Sequence, residues 1–356
     1  MQIGSVSLDS PLVVAPMAGM TDTAFRRLVK RQGGCGLVVT EMVSSEGLVR
    51  GIDRTLEYAE YTEEERPVAI QIFGGDPDRM AEAARIVEGM GANIVDVNMG
   101  CPVPKIAKHN AGCRLMREPE HAAGIIAAMV KAVTIPVTVK MRKGWDDDET
   151  NAKDVAKRVS DVGAKAITIH GRTAKQSYTG AADWQFVADV ADAVSIPVFG
   201  SGDCVEPEQI VDHLRQGLSG VFVGRGVLRN PWILAQAQDL LEGRRARPVS
   251  REERGQFLLD YIALLLNERV HEEEGFRHVA PGSDASSHPP RTRHDRWVIN
   301  KLRALCSWYT KGLDGGSHLR ISVNAAASLP ELRALIEDFF FQPRSGSLPP
   351  DLAVPA

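Results

Sequence analysis

The residues of this chain with the clearest chemical potential stand directly after short apolar runs. The stretch Asp96–Lys105, DVNMGCPVPK, sets a single cysteine, Cys101, between a glycine and a proline at the end of such a run. A lone cysteine here is either a reagent or a small buried hydrophobe, and its neighbours alone do not decide between the two. Other polar or loop-forming residues follow other runs: Pro16-Met17-Ala18, Glu41, Gln71, Asn98, Lys140, His170 with Arg172, Ser201-Gly202-Asp203 and Gly224-Arg225.

Two glycine-rich stretches indicate a phosphate-binding site. GSGD at 200–203 and GRG at 224–226 offer backbone N–H groups, and Arg225 adds a positive charge. Lys140 could stabilise negative charge on a flavin ring, and Gln71 has the paired donor and acceptor that the pyrimidine edge of a flavin uses. No G-x-G-x-x-G opens a helix after the first strand, so the pattern favours FMN over a Rossmann-type dinucleotide site.

Eight short runs rich in β-branched residues predict the strands that position these residues. They cover residues 12–15, 37–40, 68–73, 94–98, 137–140, 166–170, 198–200 and 220–223. Segments with helical periodicity lie between most of them, at 78–90, 118–133, 150–162, 184–194 and 207–216. The chain also echoes itself, since GANIVDVN at 91–98 resembles GAKAITIH at 163–170.

Eight repeated strand–helix units predict an α/β fold, the (β/α)₈ TIM barrel, in which chemistry sits at the C-terminal ends of the strands. The alternative is an open doubly wound sheet, for which six strands are more usual. In a barrel, the polar residues that follow the strands would share one rim. That shared position makes a functional site more plausible than a separate structural explanation for each residue.

Composition places the chain among globular proteins. It has 356 residues, 44% hydrophobic and 25% charged, with a formal net charge of −4 that gives no global case for nucleic acid. Five scattered cysteines without a C-x-x-C pair predict free thiols and no zinc site. The N-terminus lacks a basic segment followed by an apolar core, and no run is long enough for a membrane span. We therefore expect a cytoplasmic protein without metal, and a monomer.

Seven motifs together resemble the tRNA-dihydrouridine synthases, and the bacterial B-type branch most closely. The resemblance runs in order from about residue 3 to residue 340. Its seventh loop has Ser201 where relatives commonly have asparagine. The motifs are APMAGMTDTAFR at 15–26, QIFGGDP at 71–77, DVNMGCPVPKI at 96–106, VKMRKGW at 139–145, TIHGRT at 168–173, SGD at 201–203 and GRGVLRNPWI at 224–233.

The resemblance implies an FMN-containing barrel that uses NADPH to reduce the C5=C6 bond of particular tRNA uridines. It implies hydride transfer from N5 of reduced FMN to C6 of the uracil, with the proton for C5 donated by Cys101. Asn98 and Arg172 would hold the uracil edge, and His170 would lie against the flavin. The implied FMN-binding residues are Pro16, Met17, Ala18, Gln71, Lys140, His170, Ser201, Gly202, Asp203, Gly224 and Arg225.

The strand pattern stops after Trp232, and helical segments are predicted at about 232–242, 251–272, 295–311 and 329–340. We therefore expect an FMN-binding catalytic barrel over 1–240, a helical tRNA-binding domain over 241–342 and a loose tail over 343–356. Residues 275–294, rich in Pro, Ser, Gly and His, predict a flexible insertion.

Basic residues and aromatics in the helical part could hold an RNA backbone, although such runs are also typical of solvated faces and helix cores. Relatives usually carry an Arg-Lys-His cluster before the Trp-Tyr pair, where this chain has Arg303-Ala304-Leu305. The basic groups are Arg244, Arg245, Arg247, Arg251 and Arg254, then Arg291, Arg293, Arg296, Lys301 and Arg303, with the aromatics Trp297, Trp308 and Tyr309.

Two rival functions remain open from the sequence. One is an FMN barrel acting on a small molecule, such as a dihydroorotate- or enoate-type oxidoreductase, which would need no helical RNA-binding domain. The other is a non-enzymatic tRNA-binding protein that retains the barrel. For a synthase, the B-type resemblance favours position 17 or a neighbour in the D-loop.

Overall fold

The computed structural model describes residues 1–107, 110–267, 272–273, 275–281 and 291–342. The predicted tail, 343–356, lies outside the described residues, as does much of the predicted insertion.

Eight parallel strands close into a barrel. Each strand pairs with its neighbours along the chain, and the eighth pairs with the first, which completes the ring. The (β/α)₈ fold predicted from the sequence is confirmed, with strand ends within two residues of the prediction. The barrel strands are Leu12–Val14, Leu37–Val39, Val68–Phe73, Ile94–Met99, Val137–Arg142, Ala166–His170, Val198–Ser201 and Gly220–Val223.

Several helices around the barrel begin at an aspartate that caps the first turn. The side chains of Asp22, Asp76 and Asp183 each accept a hydrogen bond from a backbone N–H in the first turn. The barrel unit contains the α-helices Thr23–Gln32, Ser45–Val49, Asp53–Leu56, Pro77–Gly89, Pro104–Ala107, Pro119–Ala132, Ala152–Asp161, Trp184–Ala191, Pro207–Leu214, Arg225–Arg229 and Ile233–Leu241. Short 3₁₀ helices cover Glu57–Ala59, Glu63–Glu65 and Gly112–Arg117.

The barrel interior is apolar at one end and polar at the other. An N-terminal hairpin of Gln2–Ile3 and Val6–Ser7 supplies Ile3 to a buried cluster that includes Phe199 and Phe222. The two phenylalanine rings meet edge to face with centroids 5.3 Å apart. Because this cluster packs the N-terminal end of the barrel, the C-terminal rim is the end at which a (β/α)₈ barrel binds its ligand.

A short strand lies where the sequence predicted a loose insertion. Arg277–His278 pairs antiparallel with Tyr61–Thr62, and Val43–Ser44 adds parallel to the third barrel strand. The His278 ring stacks on Tyr61 with centroids 4.5 Å apart, and Arg277 bonds Glu272 at 2.6 Å. Arg277 and His278 therefore form a short strand within the predicted insertion, where charged and aromatic side chains hold them without any apolar periodicity.

The chain divides into two compact units, Met1–Arg247 with Asn267–Pro289, and Pro248–Leu266 with Pro290–Ala356. In its described residues the second unit consists of the helices Arg251–Leu266, Arg291–Tyr309, Gly316–Ala325 and Leu329–Phe341. Tyr309 is fully buried in this unit and donates to the carbonyl oxygen of Arg254 at 2.8 Å. Within the described part of the chain, no helix has the length and apolar character needed to cross a bilayer.

Candidate active site

Four of the predicted polar side chains lie on the fourth to seventh barrel strands and meet at one end of the barrel. Strand register places Asn98 beside Lys140 and His170 beside Ser201. Every second residue of a strand faces the barrel interior. These side chains therefore converge on the C-terminal rim, at the opposite end from the apolar cluster of Ile3, Phe199 and Phe222. The sequence prediction that they share a rim follows directly from barrel closure.

A chain of hydrogen bonds links the third, fourth and fifth strands inside the barrel. Asn98 Nδ2 donates to Gln71 Oε1 at 2.8 Å, and Gln71 Nε2 donates to Asp96 Oδ2 at 2.7 Å. Thr138 Oγ1 donates to the other carboxylate oxygen of Asp96 at 2.6 Å. Gln71 and Asp96 are both buried, so their polar groups are satisfied by one another and not by solvent.

The same series of hydrogen bonds also holds the loop that carries Cys101. Asn98 Oδ1 accepts hydrogen bonds from the backbone N–H groups of Gly100 at 3.0 Å and Cys101 at 2.9 Å. Gly112 has a φ of +61°, and a Cβ there would lie 2.6 Å from the carbonyl oxygen of Cys101, so only glycine fits this close approach. Cys101 itself is half-buried.

Burial raises the pKa of the Cys101 thiol, and the Val103 backbone N–H and the Arg142 charge oppose this shift only in part. The thiol is therefore protonated at neutral pH. This is the state that a proton donor needs and the opposite of the state that a nucleophilic cysteine needs.

Burial on the rim strongly lowers the pKa values of both Lys140 and His170. Burial, helped by the charge of Arg142, lowers the pKa of Lys140 to about 8. Burial and the surrounding cations lower the pKa of His170 to about 2. His170 is consequently a neutral imidazole, and its buried Nε2 has no hydrogen-bond partner among the described residues.

Arg172 lies inside the wall of the site, with only 2% of its side chain exposed. Its Nε donates to the carbonyl of Thr179 at 3.0 Å, and its Nη2 donates to the carbonyl of Gly180 and to Asp203 Oδ2, the latter at 2.8 Å. Asp203 Oδ2 also accepts from the Ala182 backbone N–H at 2.7 Å. Arg172 therefore fastens the loop after the sixth strand to the loop after the seventh.

The loops after the first and eighth strands complete the rim. Pro16 and Met17 are half-buried and Ala18 is exposed, and the Gly19 N–H donates to the buried Glu41 carboxylate at 2.5 Å. A Cβ on Gly224 would meet nothing closer than Met17 Sδ at 3.5 Å. Gly224 is followed directly by the half-buried Arg225.

Sequence reasoning missed the contribution of Tyr178. Its ring is 59% exposed and stands 4.6 Å from the Arg225 guanidinium and 5.9 Å from that of Arg142. Its centroid lies 6.4 Å from that of the His170 ring. The available signal was an aromatic residue in the polar loop after the sixth strand, because such a loop has no apolar face against which the ring could pack.

Other predicted groups have different surroundings. The five cysteines are free thiols, and Cys113, Cys204 and Cys306 are buried. Arg244 pairs with Asp239 and Glu242, so its charge is compensated locally. No group of three or more His, Cys, Asp or Glu side chains that could hold a metal ion occurs in the described portion of the chain.

A closed barrel with its polar residues gathered on the C-terminal rim defines the class of (β/α)₈ barrel proteins with a rim site. Within that class, the model of the dihydrouridine synthase (Dus) family matches residues 13–328, and the chain belongs to this family. The family suggested by the sequence motifs is confirmed.

Named relatives cover most of the chain. A probable tRNA-dihydrouridine synthase of Rhodobacter capsulatus is 48% identical over 245 residues, 68% of this chain and 75% of the relative. A probable tRNA-dihydrouridine synthase of Rickettsia bellii is 35% identical over 95% of this chain and 97% of its own. The tRNA-dihydrouridine synthase B of Xanthomonas campestris is 34% identical over 98% of both chains.

The solved structure of a 2-naphthoyl-CoA reductase complex shares the fold, with a TM-score of 0.53 and 13% identity. The match covers 68% of this chain and 52% of that chain, so the present chain spans about half of that reductase.

Proposed function

We propose that this chain is an FMN-dependent tRNA-dihydrouridine synthase that reduces the C5=C6 bond of D-loop uridines with NADPH. The observation that carries the proposal is the half-buried Cys101, whose loop Asn98 holds on the rim through two backbone hydrogen bonds. Family membership and the names of the relatives support the same activity.

The rim residues fit FMN. The buried, unpartnered Nε2 of His170 suits a polar cofactor edge, and the positive charge of the half-buried Arg225 suits a phosphate. Pro16, Met17 and Ala18 would border the ring, and Ser201, Gly202 and Asp203 would border the phosphate. When bound and reduced, FMN would supply the hydride for C6 of the uracil.

Lys140 and Gln71 would serve the cofactor in different ways. Lys140, with its pKa near 8, is mainly charged at neutral pH and would stabilise negative charge on the flavin. Gln71 is 1% exposed and already bonds Asp96 and Asn98, so it would offer the cofactor its remaining amide hydrogen and the second lone pair of Oε1.

Cys101 would donate the proton that C5 requires. Its raised pKa keeps the proton on sulfur at neutral pH, and the two backbone hydrogen bonds to Asn98 fix the direction of the loop. A positioned acid of this kind contributes about 10²- to 10⁴-fold to a rate.

The uridine must leave its stack to reach the rim. Asn98 is half-buried at the rim and would hold the uracil edge. Arg172 already donates from Nε and Nη2 to the loops that form the wall of the site. Its proposed contact with uracil is therefore limited to Nη1, which has no hydrogen-bond partner among the described residues. The exposed Tyr178 ring would offer an aromatic surface to the displaced base.

The helical unit would bind the tRNA. Trp297 is 37% exposed, and Lys301 Nζ lies 5.6 Å from its ring centroid. Lys311 Nζ lies 3.8 Å from the Trp308 ring. Lysines beside aromatic rings suit an RNA strand, since phosphates need cations and bases need stacking surfaces.

Purified protein tests the proposal. It should carry or acquire a yellow flavin spectrum, and it should oxidise NADPH stoichiometrically with the dihydrouridine formed in unmodified tRNA. A flavin-loaded protein that reduces a small enoate or orotate but leaves tRNA unchanged would support the small-molecule rival. A protein that binds tRNA but acquires no flavin would support the non-enzymatic rival.

A further inference from the structure

Asp96 is an acidic side chain inside the barrel for which the proposed reaction has no chemical role. It is 3% exposed and lies on the fourth strand, two residues before Asn98. Strand register sets it directly beside Gln71 on one side and Thr138 on the other. A buried carboxylate costs free energy unless donors surround it, so its presence here needs an explanation.

The carboxylate determines which way the neighbouring amide points. Both carboxyl oxygens of Asp96 accept hydrogen bonds, one from Thr138 Oγ1 and the other from Gln71, which turns its NH₂ group toward Asp96 at 2.7 Å. The Gln71 carbonyl oxygen then faces Asn98 and accepts from Nδ2 at 2.8 Å. Asn98 is left with its carbonyl oxygen directed at the backbone of its own loop.

The other end of this series of hydrogen bonds, at the Cys101 loop, requires the same orientation of the amides. Two backbone N–H groups, those of Gly100 and Cys101, need an acceptor, and Asn98 Oδ1 supplies it. Reversing either amide would place donor against donor at one of its contacts and acceptor against acceptor at the other. The buried carboxylate and the loop backbone therefore select one arrangement of Gln71 and Asn98.

We propose that Asp96 is a positioning residue, which orients Gln71 and Asn98 through hydrogen bonds and thereby fixes the loop that presents Cys101. The inference rests on the proposed function for its catalytic meaning, whereas the mechanical link to Cys101 can be measured without it.

Three variants separate positioning from general stability. Asp96→Ala removes the acceptor for Gln71. Asp96→Asn keeps a carbonyl oxygen that can accept from Gln71, so the order of donors survives. Thr138→Val removes the other hydrogen bond to the carboxylate, at 2.6 Å, and leaves the path to Asn98 intact.

The measurement is the rate of alkylation of Cys101 by iodoacetamide, followed by peptide mass spectrometry with saturating FMN. Asp96→Ala should accelerate alkylation at least about fivefold, as expected when a hydrogen bond that restrains a loop is lost. Asp96→Asn and Thr138→Val should stay within about twofold of the wild type. The half-buried Cys35, in the same unit, serves as an internal reference whose rate should not change.

An unchanged Cys101 rate in folded Asp96→Ala protein would overturn the proposal, as would equal acceleration by Thr138→Val. If Asp96→Ala fails to fold, Gln71→Met provides the test, because it breaks the hydrogen bonds between Asp96 and Asn98 while retaining the Asp96 carboxylate. An unchanged rate of Cys101 alkylation in Gln71→Met would then overturn the proposal.

Catalysis supplies the second readout. In tRNA reduction, Asp96→Ala should lower kcat with little change in the KM for tRNA, and Asp96→Asn should restore most of it; equal losses in both variants would contradict positioning. If the wild type does not reduce tRNA while Asp96→Ala still accelerates alkylation, the proposed function fails and the link from Asp96 to the loop stands.

Discussion

Replacing Asp203 should loosen the wall of the site to a degree that depends on the substituent. Asp203 Oδ2 receives hydrogen bonds from the buried Arg172 guanidinium at 2.8 Å and from the Ala182 backbone at 2.7 Å. Asp203→Ala removes both, and it also places alanine at a φ of +54°, which aspartate and asparagine tolerate better. Asp203→Asn can keep an oxygen at the same position, so it loses the charge alone.

The expected cost follows from these contacts. Leaving a buried guanidinium without its carboxylate costs about 3–5 kcal/mol when both partners are buried. The Asp203 side chain is 35% exposed, so solvent replaces part of the interaction, and about 2–3 kcal/mol is the better expectation. Backbone strain adds about 1 kcal/mol for alanine. The melting temperature of the barrel should fall by about 6–15 °C in Asp203→Ala and by about 2–4 °C in Asp203→Asn.

Thermal unfolding followed by circular dichroism measures both variants, and quenching of flavin fluorescence measures FMN affinity. Asp203→Ala should also weaken FMN binding, since the seventh-strand loop and Arg225 lose a shared anchor. Equal melting temperatures for the two variants would refute the reasoning, because alanine and asparagine differ in both the retained hydrogen bonds and the tolerated φ.

Substitutions on the rim should separate cofactor binding from proton donation. Cys101→Ala should keep FMN binding and NADPH oxidation but lower the rate of uridine reduction about 10²- to 10⁴-fold, and full turnover would remove Cys101 from the acid role. Because burial raises the pKa of Cys101, the wild-type rate should persist beyond the ordinary thiol pKa of about 8.5 and fall at higher pH as the acid loses its proton; a fall centred well below that value would contradict the assignment. Burial lowers the pKa of Lys140 to about 8, so FMN affinity should decline from about pH 7 to about pH 9 as its charge is lost; Lys140→Met should bind more weakly with a flatter profile, and identical profiles would argue against the role. Tyr178→Ala should raise the KM for tRNA and leave FMN affinity nearly unchanged, and the reverse pattern would place the ring against the flavin instead.

The fold could be predicted because its signals are local. Apolar β-branched runs such as Val68–Phe73 and helices that begin at caps such as Asp76 repeat along the chain, and barrel closure follows from their number. The rule that the carboxyl ends of parallel strands lie at one edge was enough to predict that Gln71, Asn98 and Lys140 share one rim.

The rest depends on contacts between residues far apart in sequence. Nothing local indicated that Arg172 would turn into the wall toward Asp203, or that Asp96 would bond residues on both neighbouring strands. The strand Arg277–His278 depends on Tyr61 and Glu63, more than two hundred residues earlier. Periodicity could not reveal partners of this kind, because polar contacts leave no repeating pattern.

The most direct measurement of the central claim is the dihydrouridine content of tRNA in a host that lacks every other dihydrouridine synthase. Expression of this chain should restore dihydrouridine in the D-loop, at position 17 or a neighbour, as a mass increase of two hydrogens on the mapped uridine. Cys101→Ala expressed at the same level should restore almost none. A flavin-loaded, folded wild-type protein that leaves every uridine of these tRNAs unreduced would contradict the account.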